Sequence, residues 1–280
     1  MRNGAEVSRR VASADGVALA VYAAGSPDAP TLLLMHGYPD NHALWSSLVE
    51  VLRDRFRVVS YDIRGTGGSD KPAGRRAYRM ERLVDDLAAV IDAVSPKAPV
   101  HLVGHDWGSV QGWGAVTDRR TRARVATFTS ISGPCLEYAG AWLRDTRGHL
   151  RDSLRQAARS YYVLLFQLPR LPELAIRRGL GPGALPRTVP RTDADMINGL
   201  QLYRANVLRR LRSEPVRTSV PVQLIAPEHD PFVTPAFAIG SARRWVDDLT
   251  VHSVPAGHWV VSKQPELIAP LIADFAAAHA

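Results

Sequence analysis

The chain has little sulfur to work with. Its one cysteine, Cys135, can neither close an internal disulfide nor build a cysteine metal site, and neither a metal nor a cofactor is expected. Also missing is any apolar run near the roughly 20 residues that a membrane-spanning helix needs. The opening MRNGAEVSRR carries no apolar stretch of the secretory-signal kind, so the expectation is a cytoplasmic chain with no membrane partner. Internal repeats and low-complexity tracts are absent. With 46% hydrophobic and 22% charged residues over 280, the composition excludes disorder and is enough to bury one large core.

Lysine is absent between Arg144 and Arg212, where 14 arginines face five acids. That local excess accounts for the whole net charge of +8. The arginines are spread through helix-like stretches such as LRQAARSYYVLLF rather than clustered, and no nucleic-acid motif accompanies them. No nucleic-acid partner is expected; a docked protein or domain and a homodimer stay open.

What is present alternates. Short apolar runs at Thr31–His36, Phe56–Asp62, Val100–Gly104, Val125–Ile131, Val220–Ala226 and Leu249–Pro255 read as buried parallel strands. Between them LWSSLVEVLRDR and MERLVDDLAAVIDAV place apolar residues three and four apart and read as helices. Two β-like runs within Val7–Ala23, around Asp15-Gly16, predict a hairpin. The rhythm breaks from Glu137 to about Pro215, a helical, arginine-rich segment punctuated at QLPRLPE and GLGPGALPRTVPR. The fold class expected is α/β: a core of residues 1–136 and 216–280, with a helical cap of residues 137–215 over the strand ends, where open α/β sheets bind ligands.

The strand ending at Gly104 runs into GHDWGS and then a helix. Glycines on both sides of a central residue suit a turn so tight that a side chain would strike the neighbouring strand or helix, while the central residue, Asp106, is pushed into the cleft. A nucleophile there needs a base and a group to orient it, in the chain order nucleophile, acid, histidine. Asp230 in PEHDPFVTP and His258 in AGHW satisfy that order; Glu228 and Glu137 are the other acids in position. The MHGYPDN turn after the first long strand offers the Tyr38 N–H as half of an oxyanion hole, with the Trp107 N–H as the other half. His36, Pro39 and Trp107 are also expected on the substrate side, although His36 and Pro39 equally suit a role in shaping the loop.

HGYPD, DIRGTGGSDKP, GHDWGS, HDPFVTP and AGHW, in this order, resemble the α/β-hydrolase superfamily and its epoxide hydrolase branch, including hydrolase domains fused to short-chain dehydrogenases. The likeness spans nearly the whole chain. An aspartate nucleophile fits that branch chemically. A carboxylate attacking an ester would form an anhydride, whereas at a saturated carbon it displaces a leaving group and gives an alkyl ester that water can clear. An opening epoxide needs a proton on its oxygen, and tyrosine keeps its proton at neutral pH. YYVLLFQLPRLPE and LQLYRAN are similar to the cap segments that carry such tyrosines, which implies Tyr162, or its neighbour Tyr161, and Tyr203. The expected partners are thus a small-molecule epoxide and water. Haloalkane dehalogenases share Asp106-Trp107 but typically carry asparagine at the place of Tyr38; fluoroacetate dehalogenases usually carry arginine at the place of Trp107. Ser109 departs from the glycine frequent in epoxide hydrolases. A ligand-binding receptor on the same fold is a further alternative.

Overall fold

The computed structural model describes residues 9–179 and 189–279. Eight strands form one sheet in the order β1-β2-β4-β3-β5-β6-β7-β8. They are β1 (Arg9–Ala12), β2 (Ala18–Ala24), β3 (Thr31–Met35), β4 (Arg57–Tyr61), β5 (Val100–His105), β6 (Val125–Ile131), β7 (Val222–Pro227) and β8 (Leu249–Val254). The β1–β2 and β2–β4 pairings are antiparallel, and every later pairing is parallel. The Asp15-Gly16 hairpin forms as expected, with Gly16 at φ +83°; Val7 and Ser8 lie outside the described residues.

The strands are apolar on both faces because both faces are covered. Leu33 and Met35 of β3 join one buried cluster with Leu87, Trp113 and Phe128. Leu32 and Leu34, pointing the other way, join Trp45, Leu48, Ile268 and Ile272. The first layer holds α2 (Met80–Val94) and α3 (Trp107–Thr117); the second holds α1 (Ser46–Leu52) and the C-terminal helix described below. The helix read in LWSSLVEVLRDR is shorter than the pattern suggested: a 3₁₀ turn, His42–Trp45, leads into α1, which stops before Arg53.

Among the described residues five helices lie between β6 and β7: α4 (Leu136–Arg144), α5 (Leu150–Arg159), α6 (Tyr161–Gln167), α7 (Leu171–Arg177) and α8 (Asp193–Arg210). The prolines of QLPRLPE fall between α6 and α7 and at the first turn of α7, as helix stops and starts should. Most of GLGPGALPRTVPR, residues 180–188, lies outside the described residues. α9 (Pro235–Arg243) follows β7; α10 (Val260–Lys263) and α11 (Pro265–Ala277) follow β8. Among the described residues no helix is long and apolar enough to cross a membrane.

Candidate active site

β5 delivers Asp106 at the sheet's C-terminal edge, and α3 begins at the next residue. Asp106 sits at φ 53°, ψ −119°, a conformation that costs a non-glycine residue on the order of 1–3 kcal/mol and is held by its surroundings. The flanking glycines explain how. A Cβ on Gly108 would strike the Met35 carbonyl of β3, and one on Gly104 would strike the backbone of Gly108 and Ser109.

Two backbone N–H groups hold the Asp106 carboxylate. Tyr38 donates to Oδ1 at 2.7 Å, and the Trp107 N–H is the second donor. Oδ2 is left toward His258, whose Nε2 stands 3.7 Å away. The other imidazole nitrogen, Nδ1, is 2.9 Å from Asp230 Oδ2. Asp230, on the loop after β7, is itself fixed by the Phe232 and Val233 N–H groups at 2.8 and 3.1 Å. Of the competing acids, Glu137 is engaged by Arg210 at 2.5 Å, and Glu228 points into solvent.

Burial dominates the electrostatics. It raises the Asp106 carboxyl to about 6, against the pull of His258 and the two N–H groups. It pulls His258 down, but the Asp230 charge and hydrogen bond, with a contribution from Asp106, leave the imidazole above its ordinary value. Asp230 stays below the usual carboxylate range because His258 and the loop N–H groups outweigh desolvation. Behind them, burial and His258 take His105 down to about 3, so its ring is neutral and Nε2–H donates to the His258 carbonyl at 2.8 Å.

Two phenols from the inserted helices close over the carboxylate. Tyr203 of α8 is buried against Trp107, Tyr38, Phe166 and Tyr162, with ring centroids 4.9 to 6.1 Å apart. Tyr162 of α6 packs on Tyr203, Phe166 and Phe232. Desolvation, reinforced by nearby Asp106, pushes both hydroxyls well above the ordinary tyrosine value, so both stay protonated donors. Tyr161, 64% exposed, is at the rim. A cavity of about 1250 Å³ runs over Asp106, His258, Tyr162 and Tyr203.

Three residues expected against substrate do not line this cavity. His36 is fully buried, and its ring is spent on the backbone: Nδ1 lies 3.0 Å from the Gly37 carbonyl, and Nε2 accepts from the Ile63 N–H at 3.0 Å. Pro39, joined to Tyr38 by a cis bond, lies in the loop wall. The Trp107 indole is tucked under Tyr203, leaving only its backbone facing Asp106. Sequence reasoning assigns no place to Phe166 and Phe232; both line the cavity, whereas Trp142 stacks on His149 at 4.0 Å instead. It missed His105 as the support behind His258. Among the described residues no cluster of His, Cys, Asp or Glu could hold a metal ion.

A model of the alpha/beta hydrolase fold matches residues 30–265. The chain belongs to that family. The protein named "Probable oxidoreductase EphD" of Mycobacterium tuberculosis is 38% identical over 97% of this chain, which spans about half (50%) of that relative's length. Epoxide hydrolase A of the same organism is 31% identical over 81% of this chain and 62% of its own. Among solved structures, an epoxide hydrolase from hot-environment metagenomes superposes with a TM-score of 0.80 at 25% identity, covering 97% of this chain and 98% of that one. The Bacillus megaterium epoxide hydrolase bound to an inhibitor gives 0.75 at 24%, covering 96% and 100%, a likeness of fold. In this α/β-hydrolase the elbow therefore carries a carboxylate, under two phenols and beside a buried imidazole–carboxylate pair.

Proposed function

We propose that this chain hydrolyses epoxides to vicinal diols through a covalent ester on Asp106, as a cytoplasmic enzyme whose inserted helices act as a cap. The observation that carries the reading is one carboxylate held by two backbone N–H groups, that of Tyr38 on Oδ1, with Oδ2 toward His258 and the whole group lining one cavity with Tyr162 and Tyr203. Oδ2 attacks one epoxide carbon, the ring C–O bond breaks, and the departing oxygen takes a proton from a phenol. The product is a hydroxyalkyl ester with Oδ1 as its carbonyl oxygen. His258 then removes a proton from water, which attacks Cγ; the charge gathers on Oδ1, already held by the Tyr38 N–H, with the Trp107 N–H as second donor to the same group. Collapse breaks the bond between Cγ and Oδ2, and Oδ2 leaves in the diol. The imidazolium protonates that departing oxygen, and the remaining water proton, left on the new Asp106 carboxyl, returns to the phenolate, so the carboxylate, imidazole and phenol are all restored. Epoxide hydrolases among the relatives and structural neighbours support the substrate class.

The label in a single turnover tests this. With excess enzyme in ¹⁸O-water the first diol should carry unlabelled oxygen from Asp106, and His258→Ala should accumulate the ester as added mass on the Asp106 peptide. Immediate full labelling of the diol would contradict the mechanism. Halide release from haloalkanes without action on epoxides would assign the site to dehalogenation.

A further inference from the structure

The inserted helices turn an unusual amount of apolar surface outward. In α5, Leu150 and Leu154 stand one turn apart, and Leu154 is 63% exposed. In α6, Tyr161, Leu164, Leu165 and Leu168 follow at three- and four-residue spacing on one stripe, Leu164 at 65%. In α7, Leu171 and Leu174 continue the pattern. The three stripes converge, because Ala158, Tyr161, Leu165, Leu171 and Ala175 border the same cavity. A soluble monomer rarely leaves such a contiguous patch without a partner.

Charge identifies the partner. Arg151, Arg155, Arg170 and Arg178 flank the leucines, exposed and without an ion pair among the described residues. The acids of the stretch do not answer them: Glu173 is held by Arg204 at 2.5 and 3.1 Å, and Asp152 is half-buried. A second copy docking by the same face would set these cations against each other. Leucines at the level of an acyl boundary with guanidinium groups among phosphates is the arrangement of an interfacial helix on an anionic bilayer.

We propose that the outer face of α5, α6 and α7 docks on an anionic lipid surface, with the mouth of the cavity turned toward the lipid. This departs from the expectation of no membrane partner, which rested on the absence of a spanning helix and so addressed crossing a bilayer rather than lying on one. The docking stands whether or not the site opens epoxides.

Flotation of the full chain with vesicles tests it. Binding is expected on phosphatidylcholine containing about a third phosphatidylglycerol, weaker at high salt, and much lower on phosphatidylcholine alone. The triple variant Leu154→Glu/Leu164→Glu/Leu174→Glu changes exposed positions outside the cavity lining. It should lower vesicle binding about tenfold or more with an unchanged melting temperature, and Arg151→Glu/Arg155→Glu should lower it on anionic vesicles. No binding to the anionic vesicles, equal binding to both compositions, or a triple variant that binds like the parent overturns the proposal. A lipid-free dimer that the triple variant converts to monomer overturns it in favour of a second copy.

Discussion

In the proposed reaction Asp106 must be ionised to attack, and His258 must be neutral to activate water, so the two half-reactions should divide by pH. Burial raises Asp106 to about 6; a raised carboxyl is lost to protonation as pH falls through that value. Ester formation should therefore drop about tenfold per pH unit below 6. No alkaline limb from the phenols is expected up to about pH 10, since desolvation has moved both upward. The His258 value is raised, so ester hydrolysis should be slow in acid and climb as pH passes the ordinary histidine range. Rapid-quench measurement of ester appearance and decay checks both limbs; ester formation constant down to pH 4 would mean that burial does not hold the Asp106 carboxyl above its ordinary range. Tyr162→Phe and Tyr203→Phe should each slow ester formation by about 10²-fold or more and leave ester decay nearly unchanged in the same assay. That Asp106, Asp230, His258 and the two tyrosines stand together was legible because a tight turn, a chain order and two segments of the inserted helices each constrain a residue independently. His36, Pro39 and Trp107 were assigned too much. Adjacency in sequence says that a residue is near the elbow, not which way its side chain points, and all three turn away from the cavity.

At the scale of elements, the run DIRGTGGSD, which reads as a family signature, works as a clasp. Asp62 accepts from the Tyr22 hydroxyl, the His42 N–H and the Gly68 N–H at 2.8 to 2.9 Å. Arg64, fully buried, pairs with Asp86 of α2 at 2.5 Å and Asp15 of the hairpin at 2.9 Å, and donates to the Ala77 carbonyl. Ile63 between them donates to His36, so the clasp also sets the loop that presents the Tyr38 N–H. Arg64→Ala would leave Asp86 buried and unpaired, at a cost of about 3–5 kcal/mol. The expected result is a melting temperature lower by roughly 10 °C. Arg64→Met/Asp86→Leu, which removes both charges, should recover most of the loss; a melt unchanged in Arg64→Ala would mean the pair is not what joins these elements. The strands of this framework could be read from sequence because burial on both faces leaves continuous apolar runs. The clasp could not, since which acid meets Arg64 depends on a hairpin and a helix that are distant in the chain.

For the whole molecule, the question is what holds the phenols over the core. The segment Tyr203-Arg204-Ala205-Asn206 answers it with one side chain per task. Tyr203 faces the cavity. Asn206, fully buried, accepts from the Met80 N–H at 2.7 Å and donates to the Tyr78 carbonyl at 2.8 Å, tying α8 to the start of α2. Arg204 reaches the other way: Nε donates to the Phe166 carbonyl and Nη2 to the Leu168 carbonyl, both at 2.7 Å, and the guanidinium grips Glu173. It satisfies the open end of α6, the helix that carries Tyr162, and so fixes the spacing of the two phenols. The periodicity of α8 makes it a helix but cannot say which helix end its arginine will cap. Arg204→Met should loosen α6 while leaving Asp106, His258 and Asp230 where they are. In single turnover, ester formation should then slow by about 10²-fold, since misplacing a donor by an ångström costs about that much, with ester decay nearly unchanged. Arg204→Lys should fail to rescue, because a point charge cannot serve two carbonyls and a carboxylate at once. Equal slowing of both half-reactions would instead mean that Arg204 supports the sheet as much as the inserted helices, and the phenols would owe their placement to α8 alone.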